Sequence, residues 1–403
     1  MTVGRSARQW SWLAAAALAL VAACDGQAPR ADGASPTASV ATTEVALPPG
    51  DEPVVVAAWG DDLLVGSRAP GGSATRPRLT VLDPSGGSRE VAVTPVSPTA
   101  FQAKWLVAAP RGATVELVAG APAGAHSNTR WSTWRGDADA VRELPQPFAT
   151  FGGWGAGALV SLVQTPGAPV IVGSWESGGA GLDVALWHPD GDRWLRASSA
   201  GTALASTATE LVSARGAAAD RAGLLVVGSV TLLGDGRVTQ RPAVWRSPGP
   251  NGPWTRTDLP GEGSLGEAHA AACDEQGRCT LVGAVDGWLR GWVLGADGST
   301  SPLALPALAV GEHDVLPPPL LGAGKATVLL ASGGALQVLT VPDGVSAGGS
   351  GSGGASGPGG NGIRQATGPP ARGVRSAART AAGDYLVLED PAGAARLLRL
   401  DLP

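Results

Sequence analysis

Val226-Val227-Gly228-Ser229 is the stretch on which the fold turns. A short, continuous apolar run ending in small residues is the pattern of a strand buried on both faces. The run recurs upstream as Leu64-Val65-Gly66-Ser67, Leu117-Val118-Ala119-Gly120 and Ile171-Val172-Gly173-Ser174. Downstream it returns as Leu281-Val282-Gly283-Ala284, Leu329-Leu330-Ala331-Ser332 and Leu386-Val387-Leu388-Glu389. The third residues of these runs are 53, 54, 55, 55, 48 and 57 positions apart. Such a period belongs to a repeat architecture and not to scattered strands.

A second series keeps phase with the first. It includes Val81-Leu82-Asp83, Leu186-Trp187-His188, Val244-Trp245-Arg246, Trp292-Val293-Leu294 and Leu397-Leu398-Arg399, each followed by a turn sequence such as Pro84-Ser85-Gly86-Gly87. A run precedes each anchor (Val54 to Ala58, Leu159 to Val163), and another follows each turn (Arg89 to Val93, Trp254 to Thr257). Seven units of four strands predict an all-β, seven-bladed β-propeller of four-stranded blades spanning 42–403. The chain stops after the third strand of unit seven. Thr43-Glu44-Val45-Ala46-Leu47-Pro48 reads like the missing fourth, so the last blade is expected to be closed by the N-terminal strand, which removes an open sheet edge. Residues 346–362, almost all Gly, Ser and Ala, read as a loop insertion between the third and fourth strands of unit six.

The N-terminus has a different character. Arg5 and Arg8 precede an apolar stretch, Leu13 to Ala23, which ends at Val21-Ala22-Ala23-Cys24. These residues resemble the bacterial lipobox. The resemblance implies that 1–23 is a signal peptide, that Cys24 is lipidated, and that the mature chain sits on the extracytoplasmic face of the cell membrane through its acyl chains. Residues 24–41 then serve as lipidated Cys and flexible tether. In an oxidising compartment the remaining pair, Cys273 and Cys279, flanking a polar Gly-containing turn, predicts a disulfide.

Composition sets the exclusions. The 403 residues include 60 Gly, 33 Pro and 14 Trp, with Lys+Arg 29 against Asp+Glu 34 and a formal charge of -5. There is no basic surplus for nucleic acid. Arg outnumbers Lys 27 to 2, which looks like GC-rich coding; with the lipobox-like residues, the chain resembles an actinobacterial-type lipoprotein. No cofactor motif and no metal-ligand spacing is read among the four dispersed His. A monomer is expected.

The turn regions Trp187-His188-Pro189-Asp190-Gly191-Asp192-Arg193-Trp194 and Trp245 to Trp254 distantly resemble the Asp-box turns of sialidase-like propellers, Ser-x-Asp-x-Gly-x-x-Trp. Gly191 and Trp194 match in the first, Ser247 and Trp254 in the second. In that family the motif is a structural turn, so the resemblance implies the fold and not glycosidase activity. The sole Tyr, Tyr385, falls on a second strand, away from the channel position a sialidase nucleophile needs. Repeat equivalence makes Trp134, Trp187 and Trp245 packing residues and not carbohydrate platforms.

A propeller crowds its second-to-third-strand hairpins and its inter-blade connections on one face around the channel. On that face fall Glu176 and Asp183, Asp235, Arg237 and Arg241, Asp286, Trp288 and Arg290, with His126, Arg130, His269 and His313. An aromatic among charges, as at Trp288, has the composition of an interface hot spot. The tether enters from the opposite face, so the loop-rich face is expected to point away from the membrane. The function expected is a binding or scaffolding module for an envelope protein, peptide or glycan. The alternative is a glycoside hydrolase or lyase using a channel carboxylate such as Glu267 with a nearby Arg.

Overall fold

The computed structural model describes residues 38–71, 74–123, 128–234, 236–322, 324–344 and 362–402. The signal segment, Cys24, His126, Asp235 and nearly all of the Gly/Ser insertion lie outside the described residues. Among the described residues, twenty-eight strands form seven meanders of four, and a short additional strand, Ala38–Ser39, precedes them. Within each meander consecutive strands pair antiparallel, and the innermost strand packs on those of the neighbouring blades, the seventh returning to the first.

The anchor runs are the second strands, and their lack of polar alternation has a direct cause. Seven clusters of buried apolar side chains lie between successive blades, and each second strand feeds two of them. In blade four, Val226 enters the cluster shared with blade three, while Leu225 and Val227 enter the one shared with blade five. The last cluster joins Val56, Leu63 and Val65 of blade one to Tyr385, Val387 and Leu397 of blade seven. A strand with neighbours on both faces has no solvated side to mark with polar residues.

The small residue in the runs of blades one to five also has a physical reason. Six of the seven innermost strands carry a β-bulge at the same height, at Val54, Leu106, Val160, Arg215, His269 and Arg375. The bulge brings the first strand's backbone against the second. A Cβ at Gly228 would lie 1.9 Å from the Ser213 carbonyl oxygen, and one at Gly283 would lie 2.1 Å from that of Glu267. The bulge and the glycine are therefore one feature.

The ring is closed by Ala41–Glu44, antiparallel to Ala395–Asp401, with Ala41 opposite Asp401 and Glu44 opposite Leu398. Pairing begins two residues before the expected Thr43. Two residues assigned to the tether, Ala38 and Ser39, pair in parallel with Ala366 and Thr367 of blade six, so the entering chain fastens blade six as well as seven. Blades one and two also join at their outer edges through parallel pairing of Ala92, Val93 and Thr94 with Ala140, Val141 and Arg142.

Candidate functional site

The hairpins between second and third strands and the inter-blade connections share one face, here called the upper face. The turns between strands one and two and between three and four make the lower face. Eleven large apolar side chains are exposed among the described residues, and ten are on the upper face: Val96, Phe101, Phe148, Trp154, Leu182, Leu233, Val238, Leu265, Trp288 and Val315. Leu195, on the outer strand of blade three, is the eleventh.

Tryptophans of the core hold this face in place. Trp187, Trp245 and Trp292 occupy the third strands of blades three, four and five and are fully buried. Each indole N–H donates to a carbonyl of the connection entering its blade, at Thr150, Ala203 and Pro260 respectively, over 2.9, 2.8 and 2.6 Å. These are packing residues, as their repeat position predicts, and they also fix the upper connections to the barrel.

The predicted charged residues divide into two groups. Asp183 is buried and accepts from the Ser199 hydroxyl (2.6 Å) and the Ser206 N–H (2.7 Å), so it braces a connection and offers nothing to a ligand. Asp286, the one non-glycine residue with positive φ among the described residues, accepts from the Leu265 N–H at 2.9 Å and from the Ser264 hydroxyl at 3.1 Å. The backbone donor of Leu265, followed by those of Ser264, holds its carboxyl below the usual aspartate range. Both aspartates were candidate binding residues by charge and position; their oxygens are engaged by the fold instead. Glu176, Arg237 and Arg241 are exposed, Arg290 is half-buried, and Trp288 is 46% exposed. None of these four charged groups has an ion pair among the described residues.

Blades four and five bring part of the set together. The Gln240 N–H donates to the Ser264 carbonyl (2.8 Å), and the Asp286 N–H donates to that of Leu265 (2.7 Å). Arg241, Leu265, Asp286 and Trp288 thus sit on adjoining segments beside a cleft of about 430 Å³ lined by Arg241, Pro242, Leu259, Glu262 and Val285. Glu176 lies apart, in blade three.

At the channel, Glu267 is the centre of a polar group. Its Oε2 accepts from Arg215 Nε at 2.7 Å and its Oε1 from the Ser229 hydroxyl at 3.1 Å, while Gln240 donates to Ser229 at 2.7 Å. His269 Nε2 lies 3.7 Å from the same carboxylate. His269 was expected in an inter-blade connection, but it is the bulged residue of the strand Gly266–Cys273, and burial pushes its pKa down. A second group joins blades seven and one: Arg375 donates to Glu52 (2.7 Å) and Glu389 (3.1 Å), and Arg68 to Glu52 (3.2 Å). Cys273 and Cys279 face each other across their strands on the lower side and are disulfide-bonded, as their spacing predicts.

The aromatic sector of blades two and three escaped sequence reasoning. Phe148 opens the one-turn helix Phe148–Phe151, Arg130 lies over its ring at 4.6 Å, and Trp154 is completely exposed between Gly153 and Gly155. Only the unusual exposure that Gly-Gly-Trp-Gly grants a Trp side chain marks it, since no other unit carries an equivalent.

No protein-family model and no curated protein matches the sequence. Among solved structures, the chain is similar to virginiamycin B lyase from Staphylococcus aureus at a TM-score of 0.51 and 9% identity, over 91% of this chain and 99% of that one. It is similar to a streptogramin B lyase at a TM-score of 0.51 and 10% identity, over 90% and 98%. A catalytically inactive variant of the Staphylococcus aureus lyase with quinupristin gives 0.50 at 10% identity, over 91% and 100%. At this identity the likeness is one of fold.

Proposed function

We propose that the chain is a membrane-anchored, extracytoplasmic binding module whose upper face docks an envelope protein, peptide or glycan. The observation that carries this reading is the segregation of exposed large apolar side chains, ten of eleven, onto one face. Apolar surface gathered on one side of a soluble fold marks an interaction site, whereas singly scattered residues do not. A photocrosslinking residue at Leu265 or Phe148 in native envelopes should form adducts that the same residue at Asp83, on the lower face, does not. Equal adduct formation from both faces overturns the reading. Anchoring rests on the lipobox-like residues before Cys24. Cys24→Ala should abolish acyl labelling and release the protein from membranes, and retention in membranes without label would refute the anchor.

A channel-centred enzyme is the second reading, favoured by Glu267, which accepts from Arg215, with the desolvated His269 beside it. A carboxylate and an imidazole set against each other are the usual parts of acid–base chemistry. Incubation with virginiamycin B or quinupristin, with Glu267→Gln as control, tests it: conversion by the parent protein and not by the variant would promote this reading over docking.

A further inference from the structure

We propose that the aromatic sector of blades two and three is a stacking site for an uncharged polysaccharide, an inference that rests on the docking reading above and gives its upper face a ligand class. The connections 95–103, 145–155, 177–181 and 197–209 contain no Asp, Glu, Lys or Arg, and the charged residues at the strand ends beside them include Arg130, stacked on Phe148, the exposed Glu176 and the buried Asp183. This contrasts with the upper segments of blades four to six, where Arg237, Arg241, Glu262, Asp286, Arg290 and Glu312 place both signs of charge beside aliphatic Leu233, Val238, Leu265 and Val315. Aliphatic side chains with mixed charge complement a protein surface. Flat rings on connections without charged residues complement a pyranose, whose C–H face stacks on an aromatic ring and whose hydroxyls bond polar side chains and backbone groups.

The rings are also pre-positioned. Val96 and Ser97 donate backbone N–H groups to Glu143 at 2.6 and 2.7 Å, which ties the Phe101 connection to the end of blade two, just before the Phe148 connection begins. Around Trp154 the backbone is fixed on both sides, by the Gly152 N–H to the Phe148 carbonyl (2.8 Å) and by the Glu176 N–H to the Gly155 carbonyl (2.7 Å). Gly153 has φ +102°, a conformation L side chains rarely adopt, and a Cβ at Gly155 would lie 2.7 Å from Trp175 Nε1. The two glycines hold the backbone that presents the indole, whose side chain touches nothing else. A backbone fixed in this way leaves only the indole's own two torsions to be ordered when a ligand stacks on it.

Affinity gel electrophoresis of the full-length, detergent-solubilised protein through a set of neutral polysaccharides, α- and β-linked glucans, a galactan, an arabinan and a mannan, with polygalacturonate as the acidic control, tests the assignment. At least one neutral polymer should retard the protein. Trp154→Ala should weaken that retardation about tenfold or more, as loss of a hot-spot ring does, whereas Trp288→Ala should leave it unchanged. Because the Trp154 side chain has no contacts to lose, the unfolding midpoint of Trp154→Ala should match the parent. Retardation by none of the neutral polymers, retardation by polygalacturonate alone, or indifference to Trp154→Ala overturns the proposal. If proteins still crosslink from the upper face in that case, the docking reading stands without it; if nothing crosslinks either, both fall.

Discussion

The two faces of the ring use arginine in opposite ways. On the lower face, arginines clasp one blade to the next. Arg246 of blade four reaches the Gly277 carbonyl of blade five at 3.1 Å and also binds Asp220, whose side chain is 2% exposed. Arg89 of blade one pairs with Asp139 of blade two at 3.1 Å, and Arg142 of blade two with Asp192 of blade three at 2.8 Å. Short turns there are closed by aspartates: Asp83 accepts from the Ser85 and Gly87 N–H groups, and Asp297 from that of Ser299. On the upper face, Arg78 and Arg68 pair with Asp51 and Glu52 where the chain enters blade one, but Arg76, Arg237, Arg241 and Arg290 have no ion pair among the described residues, and the apolar side chains beside them are uncovered. One face is built to hold the ring together, and the other is left open.

The contrast can be broken by mutation. The largest effect is expected from Trp245→Ala, which empties a fully buried site and frees the Ala203 carbonyl. Large-to-small changes of this kind cost about 3–5 kcal/mol, and urea unfolding should read that loss. A shift below about 1 kcal/mol would mean that the upper connections do not depend on the core tryptophans. Next come two arginines of the same blade. Arg246→Ala leaves the buried Asp220 carboxylate without its cation and should cost about 2–4 kcal/mol. Arg241→Ala, on the open face, should stay within about 0.5 kcal/mol of the parent. Equal losses at the two positions would erase the distinction between the faces.

Much of the architecture is legible in the sequence because it is repetitive. Seven second strands share burial on both sides, and the first five add a glycine or alanine at the bulge, as Val226 to Ser229 displays without interruption. The disulfide is legible because Cys273 and Cys279 sit directly opposite in a hairpin. Side-chain roles on the upper face are less so. Asp183 and Asp286 carry the charge of ligand-binding residues, but whether a carboxylate meets a ligand or a backbone N–H depends on loop geometry that no spacing encodes. His269 was misplaced because a bulge adds a residue to a strand without changing its composition. Trp154 has no counterpart in the other six units, so a reading based on equivalence passes over it.

The smallest predicted effect concerns the channel that separates the two faces. His269 is desolvated in the folded chain, with Glu267, Arg215 and Asp314 as its charged neighbours, and burial is the main cause of its lowered pKa. An unfolded imidazole titrates near 6.5, so below that pH the unfolded chain takes up a proton that the folded chain resists until its own, lower pKa is reached. Stability must therefore fall as the pH drops from about 6.5 through that window, with a slope no greater than about 1.4 kcal/mol per pH unit for one group. Above pH 7.5 both states hold a neutral ring and the contribution vanishes. His269→Gln, which keeps a polar side chain next to Glu267, should remove the decline while leaving the alkaline plateau within about 1 kcal/mol of the parent. Urea midpoints at pH 8 and pH 5 for both proteins decide it: an identical acid-side decline in the variant would mean that His269 is solvated in solution and that the channel mouth is open to water at that depth.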